Sequence, residues 1–134
     1  MKKRYLVVFS LAMLAFNRLS SQSEIWGMTS AGGEGYGTLF GMPTGSNNPS
    51  TQYNFTGFPG SSPQYVKLLQ ATNNKLYGVT LSGGINNLGV LFEYDVSNNT
   101  YVKKVDFSVA NGSSPRGSLM QASNGKIYGM TSAG

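Results

Sequence analysis

The chain contains no cysteine and no histidine. Without cysteine there is no disulfide framework and no lipid anchor on an N-terminal cysteine. Without histidine the commonest general base and a leading metal ligand are gone, so serine, though abundant, has no histidine to activate it. Charge is also scarce, at 11% of residues. Ten basic residues oppose five acidic ones, but Lys2, Lys3, Arg4 and Arg18 all lie within the first 21 positions. From residue 22 onward the two signs nearly balance, so the basic footprint of a nucleic-acid binder is missing. The acidic residues are scattered singles apart from Glu93 and Asp95, which leaves no metal-ligand spacing and calls for no cofactor. Long apolar runs are limited to Tyr5–Phe16, twelve residues ended by Asn17 and Arg18. That is well short of the roughly 20 apolar residues a spanning helix needs, so no membrane span is expected in the mature chain.

That run has another use. Met1-Lys2-Lys3-Arg4 is a positive lead, residues 5–16 an apolar centre and Asn17-Arg18-Leu19-Ser20-Ser21 a polar exit of mostly small side chains. The three zones form a secretory signal peptide over residues 1–21, cleaved between Ser21 and Gln22. The mature chain is therefore expected to be secreted or held at a cell surface, and export without cysteine suits a bacterial protein.

What the remainder does have is a period. Gly27, Gly78 and Gly129 are spaced 51 residues apart, each within the phrase aromatic-Gly-aliphatic-Thr. Met130-Thr131-Ser132-Ala133-Gly134 repeats Met28-Thr29-Ser30-Ala31-Gly32 letter for letter. A chain that stops inside a repeat motif, with no atypical capping repeat, reads as the N-terminal piece of a longer array with repeats starting near 25, 76 and 127. Within one repeat the expected order is a strand over 76–82, a loop led by Gly83-Gly84, a strand over 89–96 with Val90, Phe92, Tyr94 and Val96 alternating, an Asn turn, and a strand over 101–108. A Gly112-Ser113-Ser114-Pro115 loop, a fourth strand over 118–123 and an Asn124-Gly125 hairpin into the next copy complete it. Four short antiparallel strands per repeat of about 50 residues make residues 22–134 all-β and propeller-like, about two blades of a truncated array. A parallel β-helix and an open meander are the rival architectures. In the propeller the repeated glycine would sit where inner strands crowd a central channel, with Trp26, Tyr77 and Tyr128 packing between blades. Alone, such a fragment would leave open edges and apolar faces, and so fold poorly or aggregate.

Reactive constellations are few. Gly32-Gly33-Glu34-Gly35-Tyr36-Gly37 has the look of a phosphate loop, but the residues that follow read as strand rather than helix. Glu93 and Asp95 share one strand face at about 6.6 Å, a spacing an inverting glycosidase could use, but a solvated blade face is the better reading because lone charges on strands normally face water. Lys103 and Lys104 are too few to make a binding stripe. The most credible ligand surface is the varied loop after the first strand of each repeat, with Glu34 and Tyr36 in one copy and Asn86 and Asn87 in the next.

Leu76-Tyr77-Gly78-Val79-Thr80-Leu81-Ser82-Gly83-Gly84 followed by Gly89-Val90-Leu91-Phe92, and the matching stretches from Ile25 and Gly37, resemble the GloVer (Gloeo/Verruco) tandem repeat of exported bacterial proteins. The resemblance covers most of residues 25–134. It implies an exported, propeller-like array with a sorting or anchoring segment near its C-terminus and no established activity. Trp26 stands where tyrosine is usual, Leu81-Ser82 stands in place of the common Ser-Gly type of pair, and the chain ends before any sorting segment. The expectation is a non-catalytic scaffold that binds glycan or protein. The alternative is part of a polysaccharide-acting enzyme whose site is built from further blades or another domain, and a third is a spacer for an attached domain.

Overall fold

The structure, a computed structural model, describes residues 24–134. The signal peptide over 1–21 and its Ser21–Gln22 cleavage point lie outside the described residues. Among those residues the regular structure is entirely antiparallel β, with no helix, in agreement with the expected class. The first sheet joins β1 (Glu24–Thr29), β2 (Thr38–Pro43) and β3 (Ser50–Asn54) in that order. The second joins β4 (Leu69–Gln70), β5 (Lys75–Thr80), β6 (Val90–Asp95) and β7 (Thr100–Asp106). Two short pairs follow: β8 (Ser113–Pro115) with β11 (Thr131–Ala133), and β9 (Met120–Gln121) with β10 (Ile127–Tyr128).

The two sheets are copies of one another. Thr29 lies opposite Thr38 and Gly27 opposite Phe40 in the first; Thr80 lies opposite Val90 and Gly78 opposite Phe92 in the second. Both carry a bulge at the equivalent place, between Leu39 and Phe40 and between Leu91 and Phe92. The fourth strand of one repeat pairs with the first strand of the next, β4 on β5 and β9 on β10, through the tight turns the sequence signalled. These fourth strands are only two residues long, shorter than the 118–123 span expected. Gln121 accepts the backbone N–H of Thr72 at 2.9 Å and so ties successive fourth strands together.

Side chains alternate across each strand, so every sheet has two faces. Trp26, Leu39 and Tyr53 of the first sheet pack on Leu76, Tyr94 and Tyr101 of the second. Trp26 meets Tyr94 at 5.8 Å between ring centroids, which places that aromatic between sheets as the period suggested. Tyr53 stacks on Tyr101 at 4.0 Å, and Phe55 stands edge-on to Phe92. Burial pushes the Tyr101 phenol far up from its ordinary pKa, so it stays protonated and donates to the carbonyl of Pro59.

The repeated glycine has a different reason from the one expected. Gly78 lies on an interior strand of its sheet, whereas Gly27 lies on β1 at the edge of the first sheet and Gly129 between β10 and β11. A Cβ on Gly78 would come 2.5 Å from the tip of the Phe92 ring, which lies flat across the backbone of its cross-strand partner. The Phe40 ring covers Gly27 in the same way, and Leu119 reaches over Gly129. The recurring pairing of Gly-x-Thr with Gly-x-Leu-Phe is thus one packing unit. The threonine completes it: Thr80 Oγ1 accepts the N–H of Val90 and donates to the carbonyl of Ser82.

Gly112-Ser113-Ser114-Pro115, expected as a loop, pairs instead with the strand of the next copy, Ser113 opposite Ala133 and Pro115 opposite Thr131. Its equivalent uses Ser61, which exchanges both backbone hydrogen bonds with Ser82 at 2.9 and 3.2 Å. The second serine of each phrase adopts positive φ, 51° at Ser62 and 50° at Ser114, and donates its N–H to Tyr36 and Leu88 respectively. This staple fastens each repeat to the following one.

Candidate functional site

Because the motif residues are consumed by packing, a site must be built from what differs between copies. The loops over 30–37, 55–68 and 81–89 gather at one end of the sheets, held together by the Ser61–Ser82 and Ser62–Tyr36 hydrogen bonds. Gly57 and Gly60 exchange N–H···O bonds at 3.2 and 3.1 Å, which closes a tight turn with Phe58 and Pro59 at its tip. Phe58 is 65% exposed, and the Lys103 ammonium stands 4.5 Å from its ring centroid. That lysine is fixed by Asp106 at 2.8 Å. Asp106 also accepts the N–H of Ile85, whose side chain is exposed. Partial burial opposes ionisation of Asp106, but its bonds to Lys103 and Ile85 prevail and hold its pKa below the ordinary value. The Tyr36 ring lies against Gly57 and remains 45% exposed. Tyr36, Phe58 and Ile85 therefore form an apolar shelf edged by an ion pair. Flat rings beside fixed polar groups suit the apolar face and hydroxyls of a sugar, or an aromatic anchor of a protein partner.

The four loop residues singled out from sequence divide. Glu34 and Tyr36 are exposed on the loop of the first repeat. Asn86 donates to the carbonyl of Phe107 at 2.9 Å, and Asn87, at φ 54°, accepts the N–H of Gly83 at 2.9 Å. Both amides hold their loop in shape, and both residues remain exposed. Phe58, Ile85, Lys103 and Asp106 were not singled out as ligand groups. The signal for Phe58 is the Gly57-Phe58-Pro59-Gly60 phrase, since a turn bracketed by glycines has to expose the aromatic at its tip.

The carboxylate pair lies elsewhere, on the outer face of the second sheet. Lys75 binds Glu93 at 2.7 Å and Asp95 at 3.7 Å, Tyr77 donates to Glu93 at 2.7 Å, and Lys104 stands 3.7 Å away. The bonds from Lys75 and Tyr77 lower the pKa of Glu93; the Ser97 hydroxyl and N–H lower that of Asp95. A glycosidase of either stereochemistry needs one carboxyl raised so that it can deliver a proton. Here both are lowered instead, and the two carboxylates form an ion-pair cluster with Lys75 and Lys104. Among the described residues no group of acidic side chains is arranged to hold a metal ion, and no helix is long and apolar enough to cross a membrane.

No curated protein and no solved structure matches the chain. A family profile described as the Gloeobacter/Verrucomicrobia repeat matches residues 14–134. The match takes in both sheets and the two short pairs that follow them, and with it the chain belongs to that repeat family.

Proposed function

We propose that the chain is an exported, non-catalytic repeat scaffold of propeller-like blades that binds a glycan or a protein at the cell surface or outside the cell. The observation that carries this reading is the division of labour among residues. The recurring glycines, the phenylalanines across from them and the Ser-Ser phrase are engaged in packing or stapling, whereas Tyr36, Phe58, Ile85 and Glu34 stand exposed at one loop end. The engagement of Glu93 and Asp95 by Lys75, Tyr77 and Ser97 supports a binding role over hydrolysis. Export rests on the three-zone leader of residues 1–21.

Binding of the wild-type chain and of a Tyr36→Ala/Phe58→Ala double variant to arrayed bacterial polysaccharides and to protease-treated and untreated cell surfaces tests it. The expected result is retention by a polysaccharide or a surface protein, lowered at least about tenfold in the double variant, whose exposed positions leave the fold intact. Release of reducing ends from any polysaccharide, or binding equal in the two proteins, overturns the reading.

A further inference from the structure

Five positions near one end of the sheets carry different residues in the two copies. The second has Lys75, Tyr77, Glu93, Asp95 and Lys104, tied together as an ion-pair cluster. The first has Glu24, Trp26, Gly41, Pro43 and Gln52 in their places. Register fixes the equivalence. Gly41 lies opposite Trp26 as Glu93 lies opposite Tyr77, and Gln52 and Lys104 are each the extra residue where the pairing of the third strand shifts. In the first copy, with no carboxylate at these two β2 positions, a cleft of about 170 Å³ opens between the first sheet and the turn over 96–99. Its two walls pack on one another, since Val96 of that turn joins the same core as Trp26. The cleft borders the start of β1 and the end of β2, so it lies at the opposite end of the sheets from the Tyr36–Phe58 shelf.

Trp26, Met42 and Val96 make the apolar side of the cleft; Ser50, Gln52 and Asn99 make the polar side. Gln52 Nε2 donates to Ser50 Oγ at 2.6 Å, which fixes the amide and leaves Oε1 without a partner among the described residues. Asn99, at φ 55°, accepts the Tyr94 hydroxyl at 3.2 Å through Oδ1. Its amide N–H groups have no partner among the described residues. A fixed acceptor and a fixed donor thus stand beside an indole. No lysine or arginine lines the cleft, and its one charged lining residue is Glu24, exposed and without an ion-pair partner among the described residues.

We propose that this cleft is a carbohydrate subsite that takes a single neutral pyranose unit. A sugar ring presents a flat patch of C–H groups to Trp26, and hydroxyls that both donate and accept to Gln52 and Asn99. The volume falls below the roughly 300–1,000 Å³ of sites for drug-sized ligands, which leaves room for one ring. The Glu24 carboxylate, with no cation to offset it, disfavours a uronic acid. In the second copy Glu93 and Asp95 stand where Gly41 and Pro43 leave the first one open. The subsite does not depend on what the loop shelf binds.

Trp26 is the single tryptophan of the chain, so indole fluorescence reports on this cleft and not on the shelf. The probes are the methyl glycosides of glucose, galactose, mannose and N-acetylglucosamine, with glucuronic acid and glucosamine as charged counterparts. A saturable change is expected in the full chain with at least one neutral glycoside, and none with glucuronic acid. Gln52→Ala/Asn99→Gly, in which glycine keeps the positive φ, is expected to weaken binding at least about tenfold. Gln52→Lys, which carries the second copy's side chain at this position, is expected to weaken it as well and serves should the double variant not fold by circular dichroism. Tyr36→Ala/Phe58→Ala is expected to leave the response unchanged. The proposal is overturned by the absence of a saturable change with every neutral glycoside, by tighter binding of either charged sugar, or by undiminished binding in the folded Gln52 variants. Loss of the response in the Tyr36→Ala/Phe58→Ala variant would place the sugar on the shelf, which overturns the subsite and leaves the scaffold reading standing.

Discussion

The two sheets share strand order, register and bulge, yet equivalent residues have opposite fates. Leu39 is fully buried, whereas Leu91 is half-buried; Phe92 is fully buried, whereas Phe40 is half-buried. Side-chain type is the same in each pair, so burial here is set by whether a neighbouring sheet lies on that face. Stability in such an array resides in the contacts between repeats as much as within them. The comparison breaks most sharply on the two phenylalanines. Phe92→Ala removes a ring packed against Phe55 and Tyr101 and is expected to lower stability by about 3–5 kcal/mol. Phe40→Ala removes a ring covered on one side only, and is expected to cost about 1–2 kcal/mol. Urea unfolding of both variants decides it; equal losses would mean that the sheets are not distinguished by their neighbours.

A smaller effect separates the glycines. An alanine at Gly78 would press on the Phe92 ring at 2.5 and 2.8 Å and on Leu68 at 3.1 Å. Phe92 is buried on all sides and cannot retreat, so Gly78→Ala is expected to cost about 1–3 kcal/mol. At Gly129 the close neighbour is a single methyl of the half-buried Leu119, which has room to turn. Gly129→Ala is expected to fall well below Gly78→Ala in thermal melts, and the reverse order would refute the packing account of the motif. Gly78→Ala combined with Phe92→Leu should regain part of the loss, since the offending ring is then gone.

These residues also show how far the sequence could be read. The period, the strand order and the place of Trp26 between sheets were legible because identical spacing implies identical structure, and alternation gives the face. The reason for the glycine was not legible, because it depends on a ring from the neighbouring strand lying across the backbone. Gly112-Ser113-Ser114-Pro115 read as a loop because its residues favour turns. Its pairing with Thr131–Ala133 is decided by tertiary contact, which local preference does not encode. Asn86 and Asn87 were legible as polar loop residues, but their commitment to Phe107 and Gly83 depends on where two other segments arrive. The shelf around Phe58 was missed because it draws on three loops and β7, no two of them adjacent in the chain.

The least of the three expected effects concerns a place where the two sheets truly differ in sequence. Where the first has Gly41 and Pro43, the second has Glu93 and Asp95. In the first sheet the Trp26 ring lies over Gly41, close enough that a Cβ there would stand 3.0 Å from it. In the second the smaller Tyr77 ring leaves space for a carboxylate and points its hydroxyl at Glu93. The Lys75 bond lowers the pKa of Glu93, and bonding to Glu93 raises the pKa of Lys75. A lowered carboxylate contributes stability that is present above its unfolded pKa and lost as pH falls through the folded one. A raised ammonium contributes stability that is present below its unfolded pKa and lost as pH rises through the folded one. Lys75→Met should therefore destabilise the chain over a plateau between the ordinary carboxylate and lysine ranges. The gap from wild type should close in acid once Glu93 and Asp95 are protonated, and narrow again in strong alkali as Lys75 loses its proton. Lys75 is partly exposed, so added salt should shrink the plateau. Melts of wild type and Lys75→Met across pH check this, and a difference that persists undiminished at the acid end would assign the effect of the substitution to packing and not to charge.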